Sequence, residues 1–92
     1  TRALALEYAD RGIAVNAISP GYTDTPIVAN HFAQEADPAQ ARADVEAKQP
    51  VGRLCKPSEV AAVAAMLASE EARFIIGENI VIDGGVAIRM YE

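Results

Sequence analysis

The residues with chemistry to offer are concentrated in one short stretch. Asn16-Ala-Ile-Ser-Pro20-Gly21-Tyr-Thr-Asp-Thr25-Pro26 follows directly on the apolar run Ile13-Ala-Val15. A Pro-Gly turn is succeeded by the hydroxyls of Tyr22, Thr23 and Thr25 and by the carboxylate of Asp24. In an open α/β sheet, ligands bind just beyond the carboxyl ends of strands, so a turn in this position is a candidate ligand contact. The same residues also read as ordinary construction. Pro20-Gly21 can be only a turn, and Thr25 can be only the cap of a helix that starts at Pro26. A hydroxyl can cap a helix and touch a ligand, so both readings stand together.

Other reactive side chains are scattered. His31 is the single histidine, with no Cys or His partner at metal-ligand spacing, so no metal site is expected. Cys55 stands beside Lys56, whose charge could activate a thiol, but a small loop residue serves equally well there. Asp83-Gly84-Gly85 offers one carboxylate without neighbouring ligands and reads as a structural turn. Arg53 can anchor its own loop or meet a substrate carboxylate. Glu35, Asp37, Asp44 and Glu46 read as a solvated face.

These groups need a scaffold. Thr1 to Arg11 is rich in the helix formers Ala and Leu, and Gly12 suits a helix stop. Gly12 to Ile18 is too short for a helix; its β-branched residues predict a strand buried on both faces. Ser19-Pro20-Gly21 then turns. Ile27 to Ala36 reads as a short helix or loop. Asp37-Pro38-Ala39-Gln40 starts a helix that ends at Pro50. Pro57-Ser-Glu-Val opens the clearest helix, with Val60, Val63, Ala64 and Leu67 forming one apolar stripe. Asn79 to Ile82 is a second buried strand, Asp83 to Gly85 a turn, and Val86 to Glu92 a tail. Two apolar strands joined by a long helical crossover predict parallel pairing in a right-handed unit.

Composition sets the outer bounds. The chain has 92 residues, 51% of them hydrophobic, and a net charge of −5. The acidic balance disfavours nucleic acid and anionic membrane surfaces as partners. One cysteine excludes an internal disulfide and suits a reducing, cytoplasmic compartment. No apolar run approaches the length of a membrane span. A doubly wound domain usually takes roughly 200–250 residues, so the length predicts part of one domain rather than a complete enzyme. The start at Thr1 without Met agrees with a truncated or processed chain, although ordinary Met removal also explains it.

The turn resembles the nicotinamide-binding segment of the short-chain dehydrogenase/reductase family, whose pattern N-x-x-x-P-G-x-x-x-T is matched at Asn16, Pro20, Gly21 and Thr25. Three further stretches resemble the same family in order: Thr1 to Glu7, Pro50 to Leu54 with Pro57 to Ala61, and Leu67 to Gly77 with Ile82 to Gly85. Ile76 departs from the family's Thr or Ser before Gly77, which removes a local hydroxyl. The resemblance implies the C-terminal part of a Rossmann-like α/β domain, spanning residues 1–92, with residues 26–49 as a substrate lid. It implies an NAD- or NADP-dependent oxidoreductase that interconverts a secondary alcohol and a ketone, to which this segment supplies the nicotinamide-side turn and the substrate lid. Pro20, Gly21, Tyr22, Thr23 and Thr25 would contact the nicotinamide: main chain near Tyr22 and Thr23 and the Thr25 hydroxyl would meet the carboxamide, and Gly21 would let backbone approach the ring.

The resemblance also implies what is missing. Neither a Gly-rich dinucleotide fingerprint nor a Tyr-x-x-x-Lys pair is present, and Tyr8 is followed four residues on by Gly12. The catalytic residues would lie upstream, and the 92 residues alone are expected to be inactive. Asn16 is expected to bond backbone beside the turn, and Tyr22 either to border the substrate pocket or to be an ordinary exposed loop aromatic. The last helix and strand would contribute to a homo-oligomer. The competing expectation is a non-catalytic interaction or structural module, against which stands the shortage of elements to cover a two-stranded sheet.

Overall fold

The computed structural model describes residues 1–89. Helix α1 spans Arg2–Tyr8 and tightens into a 3₁₀ turn at Ala9–Arg11. Gly12 ends it in the left-handed conformation, φ 75°, with its N–H donating to the Ala9 carbonyl. Strand β1 follows at Ala17–Pro20. Helices α2, Pro26–Ala33, and α3, Pro38–Lys48, make the excursion. Helix α4 covers Pro57–Leu67, a 3₁₀ turn Glu70–Ala72, strand β2 Asn79–Ile82, and a last helical turn, α5, Val86–Arg89.

The helix starts obey the expected chemistry. Thr25 accepts a hydrogen bond from the Val28 N–H, and Asp37 accepts one from the Gln40 N–H. Proline stands at the first position of α2, α3 and α4, where its missing N–H costs nothing. The two strands pair in parallel, with Ala17 opposite Asn79 and Pro20 opposite Ile82. Helix α4 packs on β1.

The first strand differs from the sequence expectation in place and in burial. It runs over Ala17–Pro20 rather than Gly12 to Ile18, so Ser19 and Pro20 belong to the strand and not to a turn. Ladder geometry explains how a proline fits. Ala17 N–H donates to the Glu78 carbonyl and Gly21 N–H to the Ile82 carbonyl, both at 2.8 Å. Odd-numbered amides therefore face β2, and the missing amide of Pro20 faces away from it. Ala17 and Ile18 are half-buried while Ser19 and Pro20 are exposed, because two strands and a few helices cannot cover both sheet faces. The α4 stripe is likewise incomplete: Val60, Val63 and Leu67 are half-buried and Ala64 is exposed. The expected tail from Val86 begins as α5; its last three residues, 90–92, lie outside the described residues.

Among the described residues the buried apolar side chains are few: Ala5, Phe32, Leu54 and Ala72. The accessible surface is 6660 Å², against about 5100 Å² for a compact protein of this mass. The radius of gyration is 16.5 Å, against about 12 Å for a compact chain of this length. Several large apolar side chains are left open. Phe74 is 101% exposed, Ile27 82%, Leu6 77% and Ile88 71%.

Candidate functional site

The candidate site is built at the carboxyl end of β1. Gly21 is tied to the ladder through the Ile82 carbonyl, and the chain then meets the loop before α4. Cys55 N–H donates to the Tyr22 carbonyl at 2.9 Å, and Asp24 N–H donates to the Cys55 carbonyl at 2.8 Å. This is a one-residue parallel bridge between Thr23 and Cys55. In such a bridge the groups of the flanking residues point at the partner strand, and those of the bridged residue point the other way. The Thr23 N–H and C=O therefore face away from Cys55, as one donor and one acceptor side by side.

The side chains around that pair are held in place. Thr23 Oγ1 donates to the Gly21 carbonyl at 3.2 Å. Thr25 Oγ1 receives the Val28 N–H at 3.4 Å, and its own proton stays available to a further acceptor. Asp24 makes a two-pronged contact with Arg42, at 3.4 and 3.0 Å. The hydrogen bond from Arg42 holds the Asp24 carboxyl below its ordinary range. Tyr22 is exposed and borders a cleft with Gln49, Arg53, Cys55, Glu59 and Asp83.

Gly21 has a reason that sequence alone hides. A Cβ there would stand 3.0 Å from the Asp83 Cα and 3.1 Å from its Cβ. Sequence reasoning gives the missing side chain to a flat ligand ring; in the structure Asp83 occupies that space. Asp83 in turn accepts the Gly85 and Ala87 N–H groups, both at 3.0 Å, so its carboxylate caps α5. That agrees with its reading as a structural turn.

Asn16 bonds backbone as expected, but in a different place. Its amide donates to the Ile75 carbonyl and accepts the Glu78 N–H, both at 2.9 Å, rather than bonding beside Pro20-Gly21. With Gly77 N–H on the Val15 carbonyl at 2.9 Å, it clamps the loop leading into β2. An amide suits the place because it is donor and acceptor at once. The sequence signal was the isolated Asn in an apolar run; its partners, about sixty residues away, left no local trace.

Arg53 anchors its own loop. It pairs with Glu59 at 2.6 and 3.0 Å and donates to the Leu54 carbonyl at 3.1 Å. Glu59 also accepts the Lys56 N–H. The Arg53 hydrogen bonds, seconded by that backbone bond, bring the Glu59 carboxyl down to about 2. The Cys55 thiol donates to the Lys56 carbonyl at 3.4 Å and is half-buried. His31 is exposed, its ring 6.1 Å from that of Phe32. Asp37 caps α3 as its place before Pro38 predicts, and the rest of the acidic face is more engaged than expected: Asp44 accepts from Gln40, and Glu46 lies 3.6 Å from Arg42. Among the described residues no group of three or more His, Cys, Asp or Glu is placed to hold a metal.

Comparison with known proteins decides the family. The family profile described as Enoyl-(Acyl carrier protein) reductase matches residues 1–87. Cis-4-hydroxycyclohexanecarboxylate dehydrogenase of Sinomonas cyclohexanicum is 49% identical over 85 residues, 92% of this chain and 32% of the relative. The chain belongs to the short-chain dehydrogenase/reductase family. A short chain dehydrogenase family protein from Francisella tularensis subsp. tularensis superposes over 96% of this chain and 38% of its own, with a TM-score of 0.91 and 32% identity. An actinorhodin polyketide ketoreductase crystallised with NADPH superposes over 94% of this chain and 35% of its own, with a TM-score of 0.86 and 36% identity. The chain thus spans about a third of the length of these relatives.

Membership accounts for the architecture. The parallel β1–β2 pair with α4 against it is part of the Rossmann-like α/β arrangement of the family. Among the described residues no helix is long and apolar enough to cross a membrane.

Proposed function

We propose that this segment is the C-terminal part of an NAD- or NADP-dependent oxidoreductase that interconverts a secondary alcohol and a ketone. One observation carries the reading. At the carboxyl end of β1, the Thr23 N–H and C=O point away from the Thr23–Cys55 bridge as an adjacent donor and acceptor. A nicotinamide carboxamide presents the complementary pair, an acceptor oxygen and an N–H donor.

The residues present fit that group. Thr23 main chain would hold the carboxamide, with the Thr25 hydroxyl as a third partner. Pro20 and Gly21 would form the wall behind the ring, and Tyr22 would border the substrate side. The bound nicotinamide supplies the hydride acceptor or donor. The chain's own part is to orient the carboxamide, and through it the face of the ring, and to exclude water on that side.

Residues 26–49, α2 and α3, act as the substrate lid in this reading. The general acid/base lies in another part of the enzyme, since Tyr8 has Gly12 rather than Lys four residues on. The exposed Leu6, Phe74 and Ile88 would be covered by the rest of the domain and by a second subunit of a homo-oligomer. The acidic composition agrees with an enzyme that binds no nucleic acid, and the single cysteine with a cytoplasmic one. The named activities of the relatives, a dehydrogenase of a hydroxycyclohexane acid and a ketoreductase, support an alcohol/ketone couple.

The test is turnover by the full-length protein with cis-4-hydroxycyclohexanecarboxylate or cyclohexanol and either NAD⁺ or NADP⁺, followed at the absorbance of the reduced nicotinamide. Reduction of one cofactor supports the proposal. No binding of either cofactor refutes it. The 92-residue chain alone should give no turnover; if it turned over, the placing of the acid/base elsewhere would be wrong.

A further inference from the structure

Helix α3 is weakly attached. It has no fully buried residue, and its half-buried side chains are Ala41, Arg42, Val45 and Glu46. Yet it is tied to the end of β1 by a side-chain contact 18 residues long in sequence. The Arg42 guanidinium lies over the Asp24 carboxylate with two nitrogens on two oxygens, at 3.4 and 3.0 Å. Both ends are oriented before they meet. Asp24 is fixed by its own N–H on the Cys55 carbonyl and by Thr25, which caps α2. Arg42 is steered along its helix by Glu46, 3.6 Å from Nε.

Among the described residues this is the one ion pair that joins α3 to the strand end. It also stands between Thr23 and Thr25 in sequence, the two residues assigned to the carboxamide. We propose that Asp24 and Arg42 form a latch that positions α3 against the turn, so that the set of the lid and the occupancy of the turn depend on each other. The inference rests on the nicotinamide reading of the turn. The two residues are positioning residues: they act through the backbone they hold and need not touch substrate. The bidentate fork is specific to arginine, because a lysine ammonium offers one point charge.

The test uses the full-length protein and amide hydrogen exchange, with and without saturating NADH and NADPH. Arg42→Ala, Arg42→Lys and Asp24→Asn should each speed exchange over residues 38–48 about twofold to fivefold, in line with the loss of a part-exposed ion pair. Exchange in Asn79–Ile82 should not change, which controls for general unfolding. The charge swap Asp24→Arg with Arg42→Asp, made together with Glu46→Gln so that no like charge lies one turn along the helix, should recover much of the protection. Bound cofactor should slow exchange over 38–48 in the natural protein and do so less in the single variants. Unchanged exchange in the single variants, or a swap no better protected than they are, overturns the latch. Cofactor that binds but leaves lid exchange alone overturns the coupling. Failure of both cofactors to bind refutes the reading of the turn instead, and the swap result still decides the latch.

Discussion

Gly21 and Asp83 lie so close that a methyl group on residue 21 would stand 3.0 Å from the Asp83 Cα. The contact joins the end of β1 to the residue just past β2 and holds the two carboxyl ends of the sheet together. The obstacles are the Asp83 Cα and Cβ, and Asp83 is pinned by its cap on α5, so neither atom can swing aside. Gly21→Ala should therefore destabilise the full-length protein by about 1–3 kcal/mol, the usual cost of overpacking. Chemical denaturation measures it, and an unchanged midpoint would show that the turn relaxes freely.

Asn16 makes two hydrogen bonds to main chain, on Ile75 and Glu78. Asn16→Ala leaves a part-buried carbonyl and an amide without partners. The expected loss is about 1–3 kcal/mol. Asn16→Asp keeps the acceptor for Glu78 N–H but sets a carboxylate against the Ile75 carbonyl, so it should not rescue. Equal stability of the aspartate variant and the natural protein would contradict this.

Glu59 gives the pH prediction. Its carboxyl ionises near 2 in the folded chain against an ordinary 4.5, because Arg53 and the Lys56 N–H favour the charged form. A depressed folded value means that the stabilisation is complete above about 4.5 and fades as the pH falls toward 2. The melting temperatures of the natural protein and of Glu59→Gln should differ at neutral pH and converge toward pH 2. The pair is exposed, so salt should shrink the neutral-pH difference as well. A difference independent of pH would mean that shape, not charge, holds the loop.

Legibility in the sequence was uneven, for physical reasons. Caps and proline starts are local, so Thr25–Pro26, Asp37–Pro38 and the Pro57 helix stood where expected. Strand β2 keeps its bounds because its apolar run stops at Asp83, but not its expected burial, since Asn79 and Val81 are exposed where no further layer covers that face. Strand β1 shifted because Pro20 looks like a strand breaker until one knows which edge it faces. The partners of Asn16, Gly21 and Asp24 lie 18 to 62 residues away, and no local pattern encodes them. Arg53 is the intermediate case: its loop anchor was foreseen, but the partner Glu59 was not.

Phe74 is fully exposed in this segment. If the rest of the domain covers it, Phe74→Ala should destabilise the full-length protein by about 3–5 kcal/mol. The same substitution should leave the isolated 92-residue chain unaffected, apart from making it less prone to aggregate. A neutral result in the full-length protein would mean that Phe74 serves a surface other than the domain core.

The central claim is that Thr23 main chain holds the nicotinamide end of the cofactor, and Thr23→Pro tests it most directly. Proline removes the Thr23 N–H, which the bridge to Cys55 does not use. Binding of NADH, NADPH and ADP-ribose to the full-length natural protein and to the variant should be measured side by side by calorimetry. The account predicts that reduced-cofactor affinity falls about tenfold, the worth of one hydrogen bond, while ADP-ribose, which lacks the nicotinamide, binds both proteins alike. Equal affinity of the two proteins for the reduced cofactor would contradict it.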